Sequence, residues 1–461
     1  MRFSDLENTR VAILGAGREG QAVWRQIRRR FPQKPLYLFS ESGINDEFRR
    51  ELQPVLDVLR VGPLDVGALG HFDVLVRSAG VSVYRDELTR LRSAGVKFTS
   101  ASSLWFAENP DANTICVTGT LGKSTTAKLI AQLLMGAGVT ACLAGNIGKP
   151  MLDCEDENPE WWVIELSSYQ ISDLEAEPDI AVLLNISEEH LDWHRGFKNY
   201  TADKTRLARL ARQGTVIANY SDKVLRESLA GLTNVTWFNR AGDWQAGKNK
   251  VHRQHTMPGE PAKTGNQVAA PASLPGEHNM LNLAAALTVI ETLGLDIPRL
   301  DKVLASFAGL PHRLQFIGET NGVRYIDDSI STTPVSVDVA LKTTGCRGVV
   351  LLLGGFDRGL DWSGFADGLL NETPHAIITM PESGKRIYEA LKAKGVEPEG
   401  GLHAAAGLRE AVVLAKKLVP INGCVLLSPG APSFPHFRDF ADRGVQFQKF
   451  SGFNQRYGIE K

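Results

Sequence analysis

Apolar runs of strand length alternate along the chain with longer stretches whose apolar residues recur at helical spacing. That rhythm predicts parallel α/β architecture, because a strand, a crossover helix and the next strand pack as one unit. Val11–Leu14 reads as a strand, followed by a glycine turn and the helical stretch Gln21–Arg30. Asp73–Val76 is a second strand, ending at Arg77-Ser78-Ala79-Gly80. Thr114–Val117 opens a new unit with a glycine turn and the helical run Thr126–Met135, and Trp162–Glu165 and Ile180–Asn185 continue its sheet. From Gly242 to Pro275 the periodicity fades into polar sequence bearing Gly and Pro, which predicts irregular strands and surface loop. A helix follows over Met280–Leu293, and Val323–Ile326, Val349–Leu353, Ala376–Thr379 and Val425–Leu427 form a third strand series. Boundaries near residues 107 and 311 divide the chain into domains 1–106, 107–311 and 312–461.

A chain of 461 residues is too long for one core, which agrees with three α/β units. The formal net charge of −1 provides no overall field toward nucleic acid or an anionic membrane, so an anionic ligand must be held by local charge and backbone donors. The five cysteines, Cys116, Cys142, Cys154, Cys346 and Cys424, are scattered without a CxxC pair. They suit a reducing compartment and read as small apolar residues. The start, MRFSDLENTR, has no apolar signal core, and the longest apolar runs are strand-length, so the expected location is cytoplasmic.

The strongest local signal is Val117-Thr118-Gly119-Thr120-Leu121-Gly122-Lys123-Ser124-Thr125, set between a strand and a helix. Glycines let backbone N–H groups approach phosphate oxygens, the helix N-terminus adds positive potential, Lys123 supplies a cation and the Ser124 hydroxyl can ligate Mg²⁺. Valine stands where the full P-loop pattern has its first glycine, so the match is to the shorter GxxGK[ST] form. Gly15-Ala16-Gly17-Arg18-Glu19-Gly20 fits the pyrophosphate of NAD, the diphosphate of a UDP-sugar, or only a tight helix–strand contact. After the next strand, Ser40-Glu41-Ser42 keeps an acidic residue that suits a ribose hydroxyl.

Glu165-Leu166-Ser167-Ser168 and Asn185-Ile186-Ser187-Glu188-Glu189-His190 follow apolar runs, at strand ends where α/β sheets place ligands. The His190–His194 spacing lacks the HExxH order of a zinc helix. Asn279 opens a helix either as its N-cap or as a ligand contact. Leu310-Pro311-His312-Arg313 marks a boundary, and Asp327-Asp328-Ser329, Gly354-Gly355-Phe356-Asp357-Arg358 and Ser428-Pro429-Gly430-Ala431-Pro432-Ser433 all follow strands of the last domain, suggesting one binding edge.

In this order and over essentially the whole chain, these motifs resemble the Mur ligases, specifically the glutamate-adding MurD type. The resemblance implies a Rossmann-like first domain for a UDP-linked precursor, a central P-loop ATPase-like domain, and a Rossmann-like C-terminal domain that closes over the site. Carried across, Gly17, Arg18, Gly80 and Asn146 correspond to positions near the UDP-precursor. Gly119, Thr120, Gly122, Lys123, Ser124 and Thr125 match the phosphate loop, and Asn279, Asn282, Arg313 and Asp328 match residues around ATP. Ser124, Glu165 and His190 match a magnesium site of one or two ions, and Lys204 aligns with a lysine that the family carbamylates. Lys123, Glu165, His190 and Lys204 are thus the implied catalytic set.

The implied reaction is ATP-dependent: a carboxylate becomes an acyl phosphate, and the glutamate amine displaces phosphate, in peptidoglycan precursor synthesis. The departures cluster in the implied glutamate pocket. Where the D-glutamate ligases carry D-S-K-A-T, this chain has Asp328-Ser329-Ile330-Ser331-Thr332-Thr333. Arg358 replaces a lysine, and Ser428-Pro429-Gly430-Ala431-Pro432-Ser433-Phe434-Pro435 replaces S-P-A-C-A-S-x-D. Lysine and arginine hold carboxylates with different geometry. These runs look more like the branch that adds L-glutamate to UDP-N-acetylmuramoyl-L-alanine, with Thr332, Arg358, Ser433 and Phe440 as candidates for gripping the amino acid. The implied protein is a monomer with no nucleic-acid partner and no membrane insertion. The rival readings are a D-glutamate ligase, an NAD-dependent dehydrogenase built on the first glycine turn, a polyglutamate-adding ligase, and a non-catalytic nucleotide-binding regulator.

Overall fold

The computed structural model describes residues 1–41, 43–154, 156–253, 266–271 and 273–453. Ser42 and residues 254–265 and 272 of the polar stretch, on which part of the sequence reading fell, lie outside the described residues. By contact the chain separates into two compact units, Met1–Ala272 with Glu277–Phe307, and Ser273–Gly276 with Ala308–Lys461.

The first unit carries two parallel sheets. One contains β1 (Val11–Leu14), β2 (Leu36–Ser40), β3 (Asp57–Val61), β4 (Val74–Arg77) and β5 (Lys97–Ser100), in the order β3-β2-β1-β4-β5. Its central strands β1 and β4 are buried along their whole length, as strands covered by helices on both faces must be. The strand order reverses between β1 and β4, which opens a crevice at their C-terminal ends. The second sheet contains β6 (Thr114–Thr118), β7 (Ala141–Gly145), β8 (Trp161–Glu165), β9 (Ile180–Leu183), β10 (Thr215–Asn219) and β11 (Val235–Phe238), in the order β11-β10-β9-β6-β8-β7. The polar stretch after it is more regular than expected: β12 (Gln245–Gly247), β13 (Lys250–His252) and β14 (Gln267–Ala269) form an antiparallel sheet. Val251 is buried there, anchoring an otherwise polar ribbon.

One core runs through both parallel sheets, including Phe3, Trp24, Trp105, Trp162 and Tyr200. Arg77 closes the joint. Its buried guanidinium makes a two-pronged ion pair with Asp173, both contacts at 2.6 Å, and donates to the Tyr169 carbonyl at 2.9 Å. Bidentate geometry of this kind fixes orientation as well as distance.

The second unit contains β15 (Gln315–Thr320), β16 (Val323–Asp327), β17 (Val349–Gly355), β18 (Ala376–Glu382), β19 (Leu402–Ala404) and β20 (Cys424–Leu427). Its order is β15-β16-β20-β17-β18-β19, with only β15 antiparallel to its neighbour.

Three helices begin earlier than their apolar periodicity predicts, at Arg18, Lys123 and Glu277. The polar first turns lack the apolar signal, yet they carry the N–H groups that have no partner within the helix. Because the third of these helices starts at Glu277, Asn279 lies inside it and is not its N-cap. The strand expected over Ile180–Asn185 stops at Leu183, freeing the Asn185 side chain for the phosphate loop. Among the described residues no helix is long and apolar enough to cross a membrane.

Candidate active site

The first unit holds a cleft of about 360 Å³, lined by Gly17, Arg18, Gly80, Lys123, Asn146, His190 and Lys204 among others. Of the three glycines in the first turn, Gly15 has φ +88°, and a Cβ at Gly20 would lie 2.0 Å from the Gly15 carbonyl oxygen. Both therefore serve the tight helix–strand contact. Gly17 has open space instead and caps the helix Arg18–Arg30 at the cleft. Arg18 reaches the Asn146 and Gly148 carbonyls at 3.4 Å each. Gly80 presents its carbonyl to Trp193 Nε1 at 3.1 Å. Glu41 is paired with Arg85 at 2.8 Å, so its carboxylate is engaged by a cation rather than left for a ribose.

The phosphate loop follows β6 and feeds the helix Lys123–Gly136. Gly122 sits at φ +86°, and a Cβ there would strike Asn282 Oδ1 at 2.2 Å. Only glycine serves both the left-handed backbone and that close approach. Asn185 Oδ1 accepts from the Leu121 N–H at 2.9 Å and its Nδ2 donates to the Leu121 carbonyl at 3.0 Å, holding the turn from the side. The Thr120 hydroxyl is committed to the fold, 2.8 Å from the Tyr200 hydroxyl. Ser124 is half-exposed at the first turn and Thr125 is buried behind it. Asn279 and Asn282 bond each other at 3.2 Å, and Asn282 also accepts from Thr126 Oγ1 at 3.2 Å. Lys123 Nζ curls back onto the Gly119 and Thr120 carbonyls at 3.0 and 2.9 Å.

Two buried charged residues flank this loop. Glu165, at the end of β8, is 1% exposed; its Oε1 accepts from Asn146 Nδ2 at 2.9 Å while Oε2 has no hydrogen-bond partner. Lys204 Nζ donates to the Gly119 carbonyl at 2.8 Å from full burial. Burial and the neighbouring Lys123 ammonium push its pKa well below the ordinary lysine range, against the pull of Glu189, Glu165 and Asp203. Among the described residues no three His, Cys, Asp or Glu side chains gather as a metal cage. A single carboxylate with an orphaned oxygen beside a hydroxyl-bearing phosphate loop suits Mg²⁺, which takes most of its ligands from phosphate and water.

In the second unit, β16, β20 and β17 are neighbours, so the three predicted loops share one edge. The Gly354 N–H donates to the Pro429 carbonyl at 2.8 Å and the Phe356 N–H to the Pro432 carbonyl at 2.9 Å, lacing two of them together. Asp328 is buried and accepts from Ser428 Oγ at 2.8 Å, the Leu314 N–H at 3.1 Å and Ser331 Oγ. Burial raises its pKa to about 6. Arg313 is half-buried with its Nε unpartnered. Thr332 is half-buried, Ser433 buried, and Arg358 and Phe440 are exposed along the same edge, with the Phe440 carbonyl accepting from Ser329 Oγ at 2.8 Å.

The family model of the Mur ligase middle domain matches residues 117–290. A protein named UDP-N-acetylmuramoyl-L-alanine--L-glutamate ligase from Xanthomonas euvesicatoria pv. vesicatoria is 42% identical, over 98% of this chain and 97% of its own. A protein of the same name from Salinispora tropica is 36% identical over 97% and 98%. This chain belongs to the Mur ligase family. The Mur ligase fold is found in the crystal structure of the UDP-N-acetylmuramate-alanine ligase of Thermotoga maritima, with a TM-score of 0.60 at 18% identity over 96% of this chain and all of that one. The ADP complex of the Thermotoga maritima MurF ligase aligns with a TM-score of 0.59 at 16% identity, over 96% and 93%.

Several residues that support this Mur ligase's cleft, or the loops of the second unit, carry no motif in the sequence. His194, fully buried, bonds Asp203 Oδ2 at 2.7 Å through Nδ1 and Ser168 Oγ at 3.0 Å through Nε2. Tyr84 completes the relay from the first sheet, its hydroxyl 3.0 Å from both Asp203 oxygens. Tyr169 stacks on Trp193 at 4.3 Å and meets His190 at 4.9 Å. In the second unit, Arg386 grips the Asp357 carboxylate and the Leu360 carbonyl, pinning both sides of Arg358. Such partners come from distant segments, and no local spacing announces them.

Proposed function

We propose that this Mur ligase joins glutamate, in the L form, to UDP-N-acetylmuramoyl-L-alanine, forming an amide with ADP and phosphate as the other products. The observation that carries the reading is the convergence of Lys123, His190 and Lys204 on one cleft with the buried Glu165 behind it. The Gly17–Arg18 helix start, Gly80 and Asn146 would receive the UDP-linked precursor. Gly119, Thr120, Gly122, Ser124 and Thr125 would cradle the phosphates, with Asn279, Asn282, Arg313 and Asp328 serving the rest of ATP. Domains 1–106, 107–311 and 312–461 would each take one substrate, in a monomeric, cytoplasmic enzyme.

The chemistry answers an electrostatic problem. A carboxylate approaching polyanionic ATP is repelled, and its own oxygen is a poor leaving group. Lys123 offsets the like charge, and the phosphate loop's N–H groups hold the transferring phosphoryl group. Bound Mg²⁺, held by Ser124, Glu165 and His190, would supply further charge neutralisation. The acyl phosphate then gives the glutamate amine a good leaving group. Lys204 fits carbamylation, because a neutral amine is the form that adds CO₂, releasing one proton and leaving an anionic oxygen ligand. Thr332, Arg358, Ser433 and Phe440 would grip the amino acid, and the arginine fork with isoleucine at position 330 supports the L form.

ADP release measured with UDP-N-acetylmuramoyl-L-alanine and either L- or D-glutamate tests the reading. Turnover with L-glutamate is the expected result. A preference for D-glutamate would overturn the enantiomer and spare the ligase reaction; no ADP with either would remove the reaction itself.

A further inference from the structure

His190 reaches the cleft from a backbone conformation that ordinary side chains avoid. It has φ 55° and ψ 34°, in the left-handed region, and Arg195 repeats that conformation at φ 55° and ψ 40°. Between them lies one short helical turn, Leu191–His194. Neither end is glycine, so both are strained, and such strain persists only where the surroundings over-determine it. Relaxation of either end would move the His190 ring, which meets the Tyr169 ring at 4.9 Å on the cleft wall.

The surroundings centre on His194, whose buried ring is tied at both nitrogens. A carboxylate only accepts, so Nδ1 donates to Asp203, and in the neutral ring Nε2 accepts from the Ser168 hydroxyl. These bonds fasten the turn to the helix Phe197–Leu210, which carries Lys204, and to the residue that precedes Tyr169. The His194 backbone adds two more, donating to the His190 carbonyl at 3.2 Å and accepting from Asn199 Nδ2 at 2.7 Å. The stretch after β4 grips the same turn from the other side. Ser82 Oγ donates to the Trp193 carbonyl at 2.6 Å, the Gly80 carbonyl accepts from Trp193 Nε1, and the Tyr84 hydroxyl donates to Asp203.

We infer that the buried His194–Asp203 pair is a positioning device, which holds His190 in its left-handed backbone and so aims the imidazole into the cleft. His194 lines no part of that cleft among the described residues and acts through His190 alone. Its effect on turnover rests on the proposed ligase reading, in which His190 serves the transferring phosphoryl group; its effect on the backbone does not. A merely structural His194 predicts a different outcome, in which losing its bonds lowers stability and leaves His190 in place.

The test measures hydrogen exchange and ADP release on the full-length protein carrying His194→Ala, His194→Asn or Tyr84→Phe. In His194→Ala, exchange across residues 190–196 should quicken at least about tenfold while β6 and β9 stay protected. Its kcat should fall by about 10²-fold with KM for ATP level, as when a group at the reacting centre is misplaced by an ångström. The asparagine amide can replace Nδ1 as donor to Asp203, so His194→Asn should recover most of both losses. Tyr84→Phe removes one hydroxyl from Asp203 and should show the same pattern at a few-fold. Unchanged exchange across 190–196 in His194→Ala, or no recovery in His194→Asn, would overturn the inference. Should His194→Ala fail to fold, Tyr84→Phe decides: faster exchange there upholds the inference and unchanged exchange overturns it. Faster exchange with unaltered kcat would uphold the positioning and count against the proposed role of His190. Absence of ADP release from the natural chain would remove the ligase reading, and exchange would still decide the inference.

Discussion

Two buried carboxylates mark the difference between the units. Asp328 in the second is saturated: two hydroxyls and a backbone N–H converge on it. Glu165 in the first keeps one oxygen without any partner at 1% exposure. An unsatisfied buried oxygen costs free energy that a fold optimised for stability alone would not retain. Asp328 thus ties its edge together whatever it also offers to ATP under the proposed reading, and the open oxygen of Glu165 suits the proposed metal. The lysines repeat the lesson, since Lys123 and Lys204 share the Gly119 carbonyl and the Lys123 ammonium disfavours the charge on Lys204.

The comparison breaks most directly at Lys123. Lys123→Ala should lower ADP release by at least about 10³-fold, the range for losing a preorganised charge at a transferring phosphoryl group, with little change in thermal unfolding. Near-normal rates would take the loop out of the mechanism. Glu165→Gln comes next: turnover should fall by about 10²-fold while stability is unchanged or improves, because a buried charge is removed. A loss of stability there, seen by urea unfolding, would mean that the orphaned oxygen is structural after all.

Asp328 should behave in the opposite way. Asp328→Ala strands the Ser331 and Ser428 hydroxyls and the Leu314 N–H, and should cost about 2–4 kcal/mol in unfolding of the second unit. The pH dependence sharpens the contrast. Burial raises the Asp328 pKa from 3.8 to about 6, so between these values the folded state holds a proton that the unfolded state has released. Its contribution is therefore present below pH 4 and is lost as pH rises toward 6. Urea midpoints for Asp328→Asn should decline less across that window than those of the natural chain; parallel curves would refute the assignment.

The smallest effect concerns the loop around Arg358. Arg386→Ala frees Asp357 and the Leu360 carbonyl, and should raise KM for glutamate about tenfold with KM for ATP unaffected, as expected when a positioning contact is lost. Equal changes in both constants would point to general loosening of the unit.

Local physics explains how much of this was legible. Alternating strand and helix patterns and the Gly119–Thr125 run predicted the sheets and the phosphate loop, because glycine, lysine and hydroxyl residues at close spacing have few other uses between a strand and a helix. Helix starts were misplaced at Arg18, Lys123 and Glu277, since their polar first turns lack apolar periodicity. The Arg77–Asp173 joint, the Tyr84–Asp203–His194–Ser168 relay and the Arg386–Asp357 clamp left no trace, because each links segments remote in the chain.

By itself, then, the order of residues determined the α/β class, the glycine turn ahead of Lys123 and the Mur ligase resemblance, all of which depend on neighbours along the chain. Only the tertiary structure decided which charges are buried and which of them are satisfied. Those properties depend on desolvation and on partners brought close by packing, and neither exists until the chain has folded.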